Sequence, residues 1–341
     1  MKIKNIVLFS LLFLFVIVAS AVRLLLTRDF DNSIVFSMPE DSYVVYRLVP
    51  LVAALIVGSG LGVSGMALQV LLRNPLASPW ILGLSSGAGL GLMSVMFFEY
   101  TYSASFIELA FFIPFTKFTF PLPWELIGAV VGAVFSLTLV YCLSRRRGGL
   151  DPIAMVLVGV VVSVLCSAGI MILQHAVPLG LRGAFTTWLM GNLPEVADGW
   201  WLSGCGVIVI VGIALIAWWG PTLDAACLSD DEAKSVGVNL SKIRRRLFLT
   251  SSTLAAVAVV LAGPIAFVGL IAPHGARLLF SGTHRVLTIG TAIMGALLLV
   301  VADDLRQLID LGTGRLPIGI MTSIFGGLVF LFLLIRGRGK V

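Results

Sequence analysis

The chain has 341 residues, of which 59% are hydrophobic and only 12% are charged. Its mean hydropathy of +1.07 excludes an ordinary soluble domain and indicates a protein solvated by lipid. The net charge of +6 does not require a nucleic-acid partner, because basic residues also collect at the cytoplasmic face of membrane proteins.

Long apolar stretches along the chain have the length of membrane-spanning helices, which need about 20 residues to cross about 30 Å of hydrocarbon. The first, residues 5–26, continues into Arg23 without a clean small-residue cleavage site, which favours a retained helix over a signal peptide. The others cover residues 48–72, 74–98, 126–144, 152–174, 199–223, 247–276, 286–302 and 316–335.

The stretch from 247 to 276 is too long for one span and contains Gly263-Pro264. Proline lacks an amide proton and has a fixed φ, so we expect a break there and a short helix from Ile265 to Leu279. The prediction is an all-α integral membrane protein of about ten helices, forming a single transmembrane domain over residues 1–341. Placing both termini in the cytoplasm puts most of the 23 Lys and Arg residues there.

A concentrated charged insert, Asp230 to Arg246, lies in the cytoplasmic loop of about 221–246. Its acidic start and basic end suit a short helix, since these charges complement the helix dipole. We interpret it as a surface that meets a soluble partner. The alternative is a loop that is charged only because it is solvated.

The residue pattern offers no energy source within the chain. It has no Gly-x-x-x-x-Gly-Lys sequence for ATP, and no carboxylate near the middle of a span for ion coupling. The four cysteines lack metal-ligand spacing and are interpreted as small buried hydrophobes, so no metal site is predicted. A separate partner would then supply the energy.

Several segments in this order resemble the iron-siderophore, haem and cobalamin (FecCD-type) importer permeases, the membrane subunits of type II ABC importers. The resemblance spans nearly the whole chain. Its segments are Arg47-Leu48, Gly65 to Gln69, Arg73 to Pro79, Leu82-Gly83, Ser85 to Ala88, Trp188 to Gly191, Ala233 to Val238, Ala262 to His274 with Arg277, Gly295 to Asp303, and Leu316 to Gly319.

The resemblance implies a multi-pass subunit of the bacterial cytoplasmic (inner) membrane, working as a homodimer or a paralogous heterodimer. Two cytoplasmic ATPase subunits would hold ATP and Mg, and a periplasmic or lipoprotein binding protein would deliver substrate. The chain itself would bind no cofactor and would not be an enzyme. The residues that would couple it to the ATPase are Asp231, Glu232, Ala233, Ser235, Val236, Gly237 and Val238.

The outer face departs from the family pattern. A second Arg common in the family three places after Arg47 is Pro50 here, and the usual Glu before Leu-Pro is Arg315. We expect Arg47, Arg306 and Arg315 to dock the binding protein. The alternative for each is an arginine that snorkels to the membrane interface.

The remaining candidates are structural residues or residues of a translocation path. Asn74-Pro75 indicates a turn with a capped helix start, and Gly263-Pro264 indicates a broken helix. Pro273-His274 lies near this break, which favours a structural role for the pair. We expect the His274 ring to bind a carbonyl freed near the break, rather than iron or haem. Ser163, Ser167 and Gln174 could line the path, although ordinary helix contacts would explain them nearly as well.

The resemblance thus implies an importer permease, with an Fe(III)-siderophore as the favoured substrate because siderophores are the most frequent substrates in the family. The alternatives are haem or cobalamin in the same family, or an ion-coupled secondary carrier. The carrier would require a midplane carboxylate or inverted repeats, and the sequence shows neither.

Overall fold

The computed structural model describes residues 3–28, 34–37, 44–102, 124–146, 149–309 and 315–337. These residues are helical apart from short strands and connections, as predicted. The elements in chain order are α1 Ile3–Leu25, β1 Leu26–Arg28, β2 Ile34–Phe36, α2 Val44–Leu72, a 3₁₀ turn Pro79–Leu82, α3 Leu84–Tyr102, α4 Trp124–Leu143, β3 Arg145–Arg146, β4 Gly149–Leu150, α5 Pro152–Ala176, α6 Leu179–Leu189, α7 Gly199–Trp218, α8 Gly220–Ala226, α9 Asp230–Ser235, α10 Leu240–Ala262, α11 Val268–Leu279, α12 His284–Leu308 and α13 Ile318–Gly337.

Ten of the described helices have 12 or more residues, and they lie close to the ten predicted stretches. Seven of them are long and apolar enough to cross a membrane, namely α1, α2, α4, α5, α7, α10 and α12. The exact number of spans and the side of the membrane on which the termini lie stay predictions.

Three predicted boundaries are wrong. The stretch 74–98 begins with ten residues of turns, and α3 starts only at Leu84. The stretch 199–223 contains two helices, because α7 ends at Trp218 and α8 starts at Gly220. The helix predicted from residue 247 begins at Leu240, so the basic end of the charged insert forms the first turns of α10.

The chain forms two compact units. The larger comprises Met1–Pro79, Gly148–Leu150 and Met190–Val341, and the smaller comprises Trp80–Arg147 and Asp151–Leu189. The prediction of a single permease domain stays a prediction.

In the larger unit, α2 is the central helix and packs against α10, α11 and α12. Close approach explains its small residues, as predicted: a Cβ added at Gly65 would lie 1.8 Å from the carbonyl oxygen of Gly269 on α11. Lipid gives helices no hydrophobic reason to associate, so such contacts between backbones contribute much of the packing. The strands β1 and β2 pair antiparallel, with Leu26 opposite Phe36.

In the smaller unit, α3 packs against α4 and α5 by the same means. A Cβ added at Gly91 on α3 would lie 2.0 Å from the carbonyl oxygen of Gly128 on α4. Large apolar side chains on one face of α5 are exposed on the surface of the chain, among them Leu157, Val164 and Ile172. Their exposure fits a helix whose other faces contact lipid or another chain.

The predicted break at Gly263-Pro264 is confirmed. The helix α10 ends at Ala262, Gly263 adopts a positive φ of 66°, and α11 begins at Val268. The freed carbonyl of Ala262 accepts a hydrogen bond from the backbone amide of Asn192, with an N···O distance of 2.8 Å. A backbone amide thus satisfies the Ala262 carbonyl, and the role predicted for His274 at another carbonyl near the break stays a prediction.

Candidate functional site

The charged insert contains a short helix, α9, with complete hydrogen-bonded caps at both ends. At its start, the Ser229 amide donates to the Glu232 carboxylate at 3.0 Å, and the Glu232 amide donates to the Ser229 hydroxyl at 3.3 Å. At its end, the amides of Gly237 and Val238 donate to the carbonyls of Lys234 and Ala233 at 2.9 and 3.0 Å. An isolated six-residue helix would not persist in water, so α9 depends on these caps for its stability.

Gly237 makes the C-terminal cap possible. Its φ is +84°, in the left-handed region that glycine enters without steric cost. A Cβ at this position would meet no atom within 4 Å, so space does not exclude a larger residue. A substitution at Gly237 would therefore strain the end of α9 and add a side chain to its surface without disturbing a packed neighbour.

The surface of α9 combines acidic groups with one exposed apolar side chain. Ala233 is fully buried and packs the helix onto the protein. Val236 is 61% exposed, and Asp231 and Glu232 point away from the protein. Hydrogen bonds from Ser229 lower the pKa of Glu232, which keeps it charged at neutral pH.

Asp230, the first residue of α9, lies between two arginines from other helices. Its carboxylate contacts the Arg73 guanidinium, after the end of α2, at 2.8 Å, and the Arg244 guanidinium on α10 at 3.0 Å. Burial opposes ionisation of Asp230, but Arg244 and Arg73 outweigh it, so its pKa lies below the usual value. We call Arg73, Asp230 and Arg244 the ion clamp.

Arg73 extends this connection to the backbone before α9. Its guanidinium donates to the carbonyls of Ala226 and Leu228 at 3.1 and 2.6 Å, and its own φ is +47°. The next residues form the predicted turn, in which the Asn74 side chain accepts from the Leu76 amide at 2.9 Å. The turn predicted at Asn74-Pro75 is thus present, and the next α-helix, α3, begins only at Leu84.

The ion clamp could not be predicted from the sequence. Asp230 belongs to an acidic run, Arg244 to a basic run and Arg73 to a family motif, and none of these patterns indicates that the three side chains meet. The only available signal was the unusual density of charge at 230–246 combined with a single Arg at the end of a long apolar stretch. The clamp joins α9 to α2 and α10, the two helices that form much of the unit's core.

The three predicted docking arginines lie in different environments. Arg306 is only 3% exposed and pairs with the buried carboxylate of Asp303, which also pairs with Arg23. The prediction that Arg306 is free to dock a partner is therefore wrong, because membrane burial requires each charge to be matched internally. The Arg47 side chain is half-buried and donates to the carbonyls of Leu24 and Ser37.

Arg315 is the exposed one of the three. Its guanidinium is 55% exposed and contacts Glu195 at 3.1 Å, a pair that solvent weakens. Arg315 could exchange Glu195 for an acidic group on another protein at little cost in free energy.

The predicted path residues on α5 are half-buried. Ser163 donates to the Gly159 carbonyl of its own helix at 2.8 Å, which satisfies its hydroxyl without a ligand. Ser167 and Gln174 lie on the same helix. Their assignment to a translocation path stays a prediction.

The cysteines are free thiols in two environments. Cys166 and Cys205 are buried as predicted, whereas Cys142 and Cys227 are exposed, so the prediction is wrong for these two. Among the described residues, no cluster of three or more His, Cys, Asp or Glu side chains could hold a metal ion.

Comparison with known proteins places this architecture in one family. Residues 7–336 match the FecCD transport family. The hemin transport system permease of Yersinia pestis is 33% identical over 297 residues, covering 86% of this chain and 82% of that protein. The vitamin B12 import system permease of Vibrio cholerae is 33% identical over 293 residues, with coverage of 86% and 82%.

Other relatives are permeases of iron(3+)-hydroxamate and Fe(3+)-citrate import systems of Bacillus subtilis. The fold is similar to a solved structure described as an inward-facing conformation of a metal-chelate type ABC transporter. The two share a TM-score of 0.80 and 26% identity, covering 98% of this chain and 99% of the other. The chain therefore belongs to the FecCD transport family, as a multi-pass membrane permease subunit of an ABC transporter whose ATPase is a separate chain.

Proposed function

We propose that the chain forms the translocation path for an Fe(III)-siderophore in a binding-protein-dependent importer. It would lie in the bacterial cytoplasmic membrane with both termini in the cytoplasm, and would pair with a second copy or a paralogue. Two ATPase subunits would bind ATP and Mg and contact α9 from the cytoplasm. The ion clamp is the observation that carries this proposal.

The reason is mechanical. Movement of an ATPase can alter the path only through an element that is rigid and joined to the membrane helices. The caps make α9 rigid, and Asp230 joins it to α2 and α10 through Arg73 and Arg244. A loop that was charged only for solvation would need neither feature.

The surface of α9 also suits insertion into a groove on a soluble partner. Val236 offers an apolar side chain for a pocket, and the exposed carboxylates of Asp231 and Glu232 can meet basic groups at its rim. The other proposed coupling residues, Ala233, Ser235, Gly237 and Val238, hold or complete this helix. On the outer side, Arg315 and Arg47 are the residues we propose for docking the binding protein.

The substrate is the least constrained part of the proposal. Relatives act in hemin, vitamin B12, iron(3+)-hydroxamate and Fe(3+)-citrate systems. Two of these four classes are ferric chelates of small organic ligands, which favours the siderophore class. Haem and cobalamin are the alternatives within the family, and an ion-coupled secondary carrier is the alternative outside it.

The test is uptake into proteoliposomes that hold this subunit with its ATPase and binding protein. Labelled ferric siderophores, haem and cobalamin are compared, with and without ATP. We expect ATP-driven uptake of a ferric siderophore, and its loss in Gly237→Trp. Gly282→Trp is the matched control, because Gly282 also has a positive φ and open space for a Cβ but lies outside α9.

Each alternative has its own outcome. Uptake of haem or cobalamin alone would replace the substrate and keep the importer. Uptake that persists without the ATPase would establish a secondary carrier. Equal loss of uptake in both glycine variants would remove α9 as the coupling element.

A further inference from the structure

A cysteine, a histidine and an aspartate lie in a row beside the α9 segment. Cys227 follows α8, His284 begins α12, and Asp224 lies within α8. The Cys227 sulfur is 3.7 Å from Nε2 of His284, and Nδ1 of the same ring is 2.5 Å from Oδ1 of Asp224. Neither transport nor the ion clamp requires this arrangement.

The contacts of Asp224 determine which nitrogen of the imidazole carries the proton. Oδ1 of Asp224 accepts from the backbone amide of His284 at 2.9 Å and from Nδ1 of the ring. A carboxylate only accepts, so Nδ1 carries the hydrogen and Nε2 of the neutral ring has a free lone pair. That lone pair faces the Cys227 thiol and can take its proton.

Arg73 brings a positive charge to the segment around Cys227. Its guanidinium donates to the carbonyls of Ala226 and Leu228, on either side of Cys227.

Two negative groups and a helix end oppose this field. Asp224 accepts hydrogen bonds from His284 but keeps its negative charge while the ring is neutral. Asp230 is matched by Arg73 and Arg244, and Cys227 lies at the unfavourable C-terminal end of α8. An exposed cysteine beside histidine and arginine is the environment in which protein thiols become reactive.

The other cysteines lack this environment. Cys166 and Cys205 are buried, and Cys142 is exposed but belongs to the membrane-spanning helix α4. Cys227 alone is exposed outside the spanning helices. The chain thus carries one cysteine that water-soluble reagents can reach and that has a base beside it.

We propose that Cys227 is an activated thiol that undergoes exchange with small disulfides, with His284 as its base and Asp224 as the group that orients the ring. Nε2 takes the thiol proton, and the Cys227 thiolate attacks one sulfur of the disulfide. The old S–S bond breaks as the new one forms, and the leaving thiolate takes the proton back from the imidazolium. Cys227 is oxidised and the departing sulfur is reduced, so no other oxidant is needed.

A mixed disulfide at Cys227 would also reach the coupling helix. Leu228 and Ser229 are all that separate Cys227 from α9, and Arg73 binds the carbonyls on both sides of it. An adduct the size of glutathione would compete with those contacts and cover the approach to α9. This consequence for coupling rests on the proposed function, whereas the reactivity of the thiol does not.

The experiment uses the full-length chain assembled with its ATPase in lipid nanodiscs and treated with oxidised glutathione between pH 6 and 8. Peptide mass spectrometry gives the rate of adduct formation at Cys227. We expect a rate at pH 6 that is about tenfold higher than in His284→Gln, with Asp224→Asn in between. His175→Gln is the control for the loss of an exposed imidazole elsewhere in the chain.

The outcomes separate the two parts of the proposal. Equal rates in the native chain and in both His284→Gln and Asp224→Asn would overturn the activated thiol, provided gel filtration shows all three assembled. An adduct that forms at the expected rate and reduces ATP-driven uptake, with recovery by dithiothreitol, supports both parts. An adduct without effect on uptake overturns the link to coupling, while failure of uptake in the untreated complex would count against the proposed function alone.

Discussion

The ion clamp predicts a specific result for Asp230→Asn. This change keeps the size of the side chain but removes the charge that Arg73 and Arg244 share. The Asp230 side chain is 42% exposed, so each ion pair is weakened by solvent. An exposed pair contributes about 0.2–1 kcal/mol, and two pairs on one carboxylate with direct hydrogen bonds contribute about 1–2 kcal/mol.

Loss of that free energy would increase the population of molecules in which α9 is detached from Arg73 and Arg244. A change of about 1–2 kcal/mol shifts the equilibrium between attached and detached helix by about 5- to 30-fold. Amide hydrogen exchange of residues 231–236 measures this equilibrium directly, because exchange requires opening of the helix. We expect exchange to accelerate by that factor, and more ATP to be hydrolysed for each substrate imported.

Asp231→Asn is the matched control. Asp231 also lies in the first turn of α9, so both variants lose the same favourable interaction with the helix dipole. Its side chain is 99% exposed and its ion pair is with Lys234 of the same helix, at 3.5 Å. Exchange in Asp231→Asn should stay within about twofold of the native chain, and equal acceleration in the two variants would refute the clamp.

Three further predictions concern packing and charge. Gly65→Ala should prevent stable assembly, because the added Cβ would lie 1.8 Å from a backbone oxygen. Gly204→Ala is the control, since its Cβ would meet no atom within 4 Å and should be tolerated. The two variants are compared by the yield of folded protein on gel filtration. Arg306→Ala should lower the free energy of unfolding by about 3 kcal/mol by unbalancing a buried charge cluster, and Arg315→Ala by less than about 1 kcal/mol, as checked by thermal melting in detergent. The ion clamp should hold at neutral pH and be lost only in acid. The pKa of Asp230 is lowered, so the contribution of its ion pairs to stability is complete above the ordinary aspartate pKa. That contribution disappears as the pH falls through the lowered pKa. A protection factor of the α9 amides, corrected for the intrinsic pH dependence of exchange, that changed between pH 6 and 8 would contradict this.

Local chemistry determined the elements that the sequence alone could predict. The break after Ala262 follows from Gly263-Pro264. The helix α9 follows from its acidic first turn and from Gly237, which ends the helix three residues before α10 begins. The long apolar stretches predicted membrane helices because length and hydropathy are properties of consecutive residues. Their ends were less certain, since the turns at 74–83 and the early start of α10 depend on contacts with other parts of the chain.

Only the tertiary structure determined which charges meet. Arg73 and Asp230 are 157 residues apart, and the clamp exists because α2 and α10 are packed together. Likewise, Arg306 resembled a surface arginine in the sequence but is buried against Asp303, and Cys227 meets His284 because α8 and α12 pack together. A charged or reactive side chain has the same letter in either environment, and whether it is paired, buried or free depends on groups that the fold brings to it from distant segments.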